Sequence, residues 1–170
     1  MQNRMLSIHD QFPDFELLGA YNGQEITISS TSLKGLWSVI FFYPEDYSFI
    51  CPTEVTGFDD YQEYFQSKDT HLLGISIDDV STHLEWSKEL GIDYPLGSDP
   101  DGNLAKKVGV LDPVDNRAHR ATFVLDPAFR VQFAMVTSRN VGRSVEETVR
   151  VYHAIQSGKK CPAEYREKKE

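Results

Sequence analysis

Residues 36–43 are apolar and aromatic without polar alternation, and Pro44 closes the run. A stretch of that kind is a strand buried on both faces, so the chain must cover a sheet with helices. The segments downstream supply them. Pro52-Thr53-Glu54 opens a segment in which Val55, Phe58, Tyr61, Tyr64 and Phe65 recur at helical spacing, so a helix begins beside Cys51. Residues 71–77 return as a short buried strand. Residues 81–90 read as a helix with Ser81 at its N-cap and Gly91 beyond its end. A turn over 98–103 precedes a short helix over 104–108. Strands over 121–125 and 131–136 join across Asp126-Pro127, and 144–156 is an amphipathic helix with Val145, Val149, Tyr152 and Ile155 on one stripe. Upstream, an extended entry over 12–17 leads to Asn22-Gly23 between two strand-like runs, a hairpin signal. Leaving the short helix over 104–108 aside, the order from residue 36 is strand, helix, strand, helix, strand, strand, helix. It predicts an α/β layered fold with a mixed central sheet flanked by helices.

The chain of 170 residues has room for one domain with a real core, and 40% hydrophobic content is too apolar for disorder. We read a single domain over residues 1–156 and a short charged tail over 157–170. The net charge of −9, with no basic block beyond that tail, argues against nucleic acid or an anionic membrane surface as the main partner. Residues 1–12 contain no apolar leader, and the run at 39–43 is far too short to cross a bilayer, so a cytoplasmic protein is expected. Its only cysteines, Cys51 and Cys161, exclude a disulfide framework and a four-cysteine metal site.

Cys51 lies after a buried strand and at the mouth of a helix, where unpaired N–H groups and partial positive charge favour a thiolate. A cysteine between Ile50 and Pro52 also fits a small buried hydrophobe. The neighbours favour chemistry: Pro44, Ser48 and Cys51 form a P-x-x-x-S-x-x-C pattern that brings a hydroxyl toward the sulfur. Glu54 occupies the place a C-x-x-C dithiol would need, so a local cysteine pair is excluded. Cys161 follows Lys159 and Lys160, which favour its thiolate, although an exposed thiol without a role reads equally well. The five histidines lack zinc spacing, Asp99-x-Asp101-x-Asn103 lacks the calcium-loop glycine, and no nucleotide-binding glycine motif occurs. Asp78-Asp79 reads as a helix-entry cap. The strand over 131–136, with Val131, Phe133 and Met135 assigned to one face, offers an edge for self-pairing.

The segment Phe41-Phe42-Tyr43-Pro44-Glu45-Asp46-Tyr47-Ser48-Phe49-Ile50-Cys51-Pro52-Thr53-Glu54 resembles the peroxidatic-cysteine segment of peroxiredoxins, in the branch of typical 2-Cys enzymes and alkyl hydroperoxide reductase peroxidase subunits. The resemblance continues through Ile75-Ser76-Ile77-Asp78, His83-Leu84-Glu85-Trp86, residues 120–127, Val141-Gly142-Arg143-Ser144 and Cys161-Pro162-Ala163. It implies a thioredoxin-like fold and a thiol-dependent peroxidase that reduces hydrogen peroxide and alkyl hydroperoxides. By it, Cys51 is the peroxidatic cysteine, Pro44 shields it, Ser48 stands where most members have Thr, and Arg120 completes the site. Glu54, Trp86 and Arg143 match positions that support the arginine. Cys161 matches the resolving cysteine, which in the family attacks from the partner subunit of an antiparallel dimer.

No cofactor or metal is implied. The implied partners are a hydroperoxide, thioredoxin or a similar disulfide reductase, and a second copy of the chain, with a ring of dimers as a further assembly open to it. The link from Arg143 to Cys161 is about four residues shorter than the family pattern. Two features that accompany overoxidation sensitivity in the family, a Gly-Gly-Leu-Gly loop and a C-terminal Tyr-Phe pair, do not occur in this sequence. Resolution should therefore outpace further oxidation: mass spectrometry after excess peroxide is expected to show mainly disulfide, and dominant sulfinic acid on Cys51 would contradict it. Two other readings stay open, a 1-Cys peroxidase with Cys161 idle and a chaperone-like oligomer without turnover.

Overall fold

The computed structural model describes residues 4–166; residues 1–3, at the start of the supposed leaderless segment, and 167–170, at the end of the tail, lie outside it. Nine strands and six helices follow in the order β1 (Glu16–Tyr21), β2 (Gln24–Ser29), α1 (Ser30–Leu33), β3 (Ser38–Phe42), α2 (Cys51–Asp59), α3 (Gln62–Ser67), β4 (His71–Ser76), α4 (Val80–Leu90), β5 (Leu96–Ser98), α5 (Asn103–Lys107), β6 (Leu111–Asp112), β7 (Arg117–Ala118), β8 (Arg120–Leu125), β9 (Val131–Thr137) and α6 (Val145–Ser157). Seven strands form one mixed sheet in the order β2-β1-β5-β4-β3-β8-β9, and β6-β7 is a separate hairpin. β3 pairs parallel with β4 and antiparallel with β8. No helix among the described residues is long and apolar enough to cross a membrane.

All five residues of β3 are buried, as its unbroken apolar run requires. Ile40 and Phe42 enter one core layer with Leu73, Ile75 and Phe123, while Val39, Phe41 and Tyr43 enter the other with Cys51, Phe58 and Tyr152. The sheet is thus covered twice, and the candidate cysteine belongs to the second layer. Asn22 and Gly23 have φ of 53° and 75°, the left-handed pair that a two-residue hairpin needs, and Tyr21 faces Gln24 across it.

Several expectations are corrected. The helix expected to start at Ser81 starts at Val80, because the Asp79 carboxylate accepts from the Thr82 N–H at 2.8 Å and leaves Ser81 inside the first turn. The helical run after Cys51 breaks in two at Asp60-Tyr61, where the Tyr61 N–H returns to Phe58 O in a tighter turn. Val131 and Phe133 do not share a face. The ladder pairs Leu125 with Val131 and Val124 with Phe133, so Gln132 is bulged and the two side chains enter opposite core layers. β9 is nevertheless an edge strand of the sheet.

Candidate active site

Tyr43, Pro44 and Asp46 are buried where the chain leaves β3, and α2 begins at Cys51 with Pro52 in its first turn. Cys51 is 0% exposed. The first-turn N–H groups expected from the sequence to face its sulfur are engaged elsewhere. The Cys51 N–H donates to Ser48 Oγ at 3.1 Å, Pro52 has none, and the Thr53 N–H donates to Ile50 O at 3.0 Å. Ser48 therefore caps the helix with its oxygen, and its own O–H stays available as a donor.

Arg120 heads β8 and places Nη1 3.1 Å from Cys51 Sγ. The same nitrogen pairs with Glu54 Oε1, and Nε donates to Arg139 O at 2.8 Å. Nη2 has no hydrogen-bond partner among the described residues, and Arg120 lines the cleft that Pro44, Glu45, Ser48, Phe49 and Ile50 border. Ser48 and Arg120, which touch Cys51, both face that cleft, while the sulfur itself lies behind them.

Glu54 is buried and binds both arginines: its Oε2 accepts from Arg143 Nε and from the Arg143 backbone N–H, each at 2.7 Å. Arg143 also donates to Ala121 O at 2.6 Å, to Thr122 Oγ1 at 3.0 Å and to Phe42 O, and lies 5.2 Å from the Phe41 ring centroid. Burial pulls its guanidinium below the ordinary arginine range, and Glu54 opposes that. Two buried cations against one carboxylate leave one positive charge beside the sulfur. An anion there is stabilised by contact and by charge balance.

Trp86, expected to support the arginine, has its ring contacts elsewhere: Tyr43 and Tyr47, each at a centroid distance of 5.9 Å. It braces the loop between β3 and α2, and no hydrogen bond or cation–π contact links it to Arg120 among the described residues. The sequence reading missed the polar ties of that loop. Asp46 Oδ2 lies 2.7 Å from His83 Nδ1, Tyr43 OH donates to Asp46 Oδ1 at 2.7 Å, and the Asp46 N–H donates to Asp78 Oδ2 at 2.8 Å. Burial pushes the Asp46 carboxyl up, with His83 opposing. The available signal was the i, i+3 spacing of His83 and Trp86, which puts both on the buried face of α4.

Cys161 is half-buried just beyond α6, with Sγ 3.4 Å from Lys159 O and 3.5 Å from Ser157 Oγ. Both cysteines are free. The structure thus gathers Cys51, Ser48, Pro44, Arg120, Glu54 and Arg143 around one site, whereas the hydrogen bonds of Cys161 among the described residues are with its own helix end. Asp99, the start of the calcium-like triplet, spends both carboxylate oxygens on the Leu104 and Ala105 N–H groups of α5.

Comparisons with known proteins show which family the chain resembles over most of its length. The profile of the AhpC/TSA family matches residues 8–134. Alkyl hydroperoxide reductase C of Mycolicibacterium smegmatis is 35% identical over 178 aligned positions that cover 95% of this chain and 91% of that protein. The chloroplastic 2-Cys peroxiredoxin BAS1 of Hordeum vulgare is 36% identical over 92% of this chain and 80% of its own. Among solved structures, Enterococcus faecalis AhpC superposes with a TM-score of 0.87 at 34% identity, covering 93% of this chain and all of that one.

Proposed function

Because the chain belongs to the AhpC/TSA family of peroxiredoxins, and so to the thiol-dependent peroxidases, we propose that Cys51 is its peroxidatic cysteine and Cys161 the thiol that resolves it. The observation that carries the first half is Arg120 Nη1 at 3.1 Å from Cys51 Sγ, with Glu54 and Arg143 holding the guanidinium. The Cys51 thiolate attacks one oxygen of H₂O₂ or an alkyl hydroperoxide in line with the O–O bond. An S–O bond forms, the O–O bond breaks, and two electrons pass from sulfur to the peroxide. The departing oxide takes up a proton and leaves as water or alcohol, and Cys51 is left as a sulfenic acid.

Arg120 and the Ser48 hydroxyl stabilise the charge that grows on the leaving oxygen. Pro44, buried at the rim, keeps water from the sulfur. Trp86 acts one layer out, through Tyr43 and Tyr47. The bland alternative, a small buried hydrophobe, does not account for two buried arginines sharing one glutamate beside the thiol.

In the second step the turn at Cys51 unwinds and presents its sulfur. The Cys161 thiolate attacks it and expels hydroxide, which is protonated to water, and the disulfide is reduced by an external dithiol such as thioredoxin. Glu54 is held by both arginines, so the unwinding falls on the residues before it. Cys161 comes from a partner chain in this reading, and the edge strand β9, with Val136 47% exposed, supports pairing of two copies.

The Cys161→Ser variant tests the resolving role. It is expected to keep wild-type peroxide consumption in the first turnover, to form no covalent dimer on a non-reducing gel, and to lose turnover with thioredoxin. Wild-type turnover with an unchanged gel would instead make this a 1-Cys peroxidase with Cys161 idle. A reduced, folded sample with no peroxide turnover at all would favour the chaperone-like oligomer.

A further inference from the structure

The guanidinium of Arg120 is planar, so its direction is set once two of its nitrogens are tied. One tie is Nη1 to Glu54, and Arg143 locks that carboxylate. The other is Nε to the carbonyl of Arg139 at 2.8 Å. Arg139 lies in the turn between β9 and α6, outside any strand or helix. A turn carbonyl is a poor anchor unless something fixes the turn. Here its own side chain does so. Arg139 Nη2 donates to Asp115 Oδ1 at 2.6 Å and to Asp112 Oδ2 at 3.1 Å, while Nη1 meets Asp115 Oδ2.

Both carboxylates belong to the β6–β7 hairpin and are aimed by its backbone. The Val114 N–H donates to Asp112 at 2.9 Å and the Arg117 N–H to Asp115 at 3.3 Å. Arg117 then pairs with Glu45, the residue after Pro44, at 3.0 Å. Ion pairs lead from Glu45 through Arg117 and Asp115 to Arg139, and hydrogen bonds continue this circuit along the cleft, from the Arg139 carbonyl to Arg120 and from Arg120 to the sulfur.

We propose that Arg139 is a positioning residue for the peroxidase reaction: clamped by Asp112 and Asp115, it fixes the carbonyl that aims Arg120 at the sulfur and at the leaving oxygen. This rests on the proposed role of Cys51. Single ion pairs at such exposure contribute little, but a bidentate guanidinium shared by two carboxylates is the arrangement that holds geometry. Hydrogen peroxide is uncharged, so the circuit acts through orientation and not through steering.

Arg139 holds the Asp115 carboxyl at about 2, below the ordinary value of about 3.9. A lowered carboxyl stabilises the clamp fully above that ordinary value, and the contribution is lost only as the pH falls toward about 2. A deficit caused by losing the clamp should be flat over the working range of about pH 5–8, which lies wholly above the window in which Asp115 titrates; Asp112, Glu45 and Arg117 are the other charged groups in the circuit.

The test uses the full chain in a Cys161→Ser background and follows two steps by stopped flow, oxidation of Cys51 by H₂O₂ and capture of the sulfenic acid by an added thiol. Arg139→Ala is expected to slow oxidation about tenfold and leave capture within about twofold. Arg139→Lys should recover part of the loss, because it restores charge without the two-pronged geometry. Adding Asp115→Asn to Arg139→Ala should cost nothing further. Oxidation at the parent rate overturns the proposal, as does equal slowing of both steps with a lowered melting temperature, the mark of a merely structural residue. If the parent itself does not consume peroxide, the reading of Cys51 fails instead, so the two failures are distinguishable.

Discussion

Cys51→Ser is expected to consume peroxide at less than about a thousandth of the wild-type rate, measured by stopped flow on the reduced protein. The substitution changes one atom in a fully buried position and keeps a group that can sit in the same packing, so the fold should survive it. A near-UV circular dichroism spectrum matching wild type would confirm that. The reaction cannot run through another group at comparable speed, because no second thiol touches Arg120 among the described residues. A residual rate of more than a few per cent would mean that the sulfur 3.1 Å from Arg120 is not the nucleophile.

Arg120→Ala is the second large effect, with an expected loss of about 10²–10³ in the second-order rate with H₂O₂. Two ways of helping a thiol differ greatly in size. Moving a thiol from a pKa of about 8.5 to about 6 raises its ionised fraction at pH 7 from roughly 3% to roughly 90%. Nucleophilicity falls with pKa at a slope of about 0.4–0.5, which costs roughly ten- to eighteenfold and leaves a net gain of only about two- to threefold. Ionisation is therefore the smaller device, and charge stabilisation on the breaking O–O bond must supply most of the acceleration.

In the proposed reaction that role falls to Arg120, whose Nη1 lies 3.1 Å from the sulfur. In Arg120→Ala, Glu54 keeps its contacts with Arg143, so one carboxylate faces one guanidinium and no positive charge is left over beside the sulfur. Arg120→Lys should recover only part of the rate, since an ammonium cannot bond Glu54, Arg139 O and the reacting atoms in one plane. A loss of less than about threefold in Arg120→Ala would overturn the charge-stabilisation argument.

Much of this was legible in the linear chain because it depends on neighbours in sequence. The hairpin at Asn22-Gly23, the doubly buried β3 and the helix opening at Cys51 follow from local geometry and from the periodicity of burial. The motif around Cys51 likewise lies within a few residues, and the family pattern extended it to Arg120, Glu54 and Arg143.

Other features needed contacts across the fold. β5 has three residues and β6 and β7 two each, too short for any periodicity to register. The bulge at Gln132, which parts Val131 from Phe133, is decided by the register against β8. Trp86 was placed in the right region but against tyrosines of the loop, and His83 gained its partner Asp46 only when α4 packed beside that loop.

The chain by itself determined which residues would be apolar, where elements would turn and which thiol stands at a helix start, since these are properties of spacing and backbone preference. Only the tertiary structure decided that the helix-start amides turn away from Cys51, that two arginines from distant segments share Glu54, and that Arg139 grips the β6–β7 hairpin. Those are pairings between groups separated by 24 to 89 positions or competitions for a single N–H. Which partner wins depends on burial and distance, and neither exists until the sheet has closed.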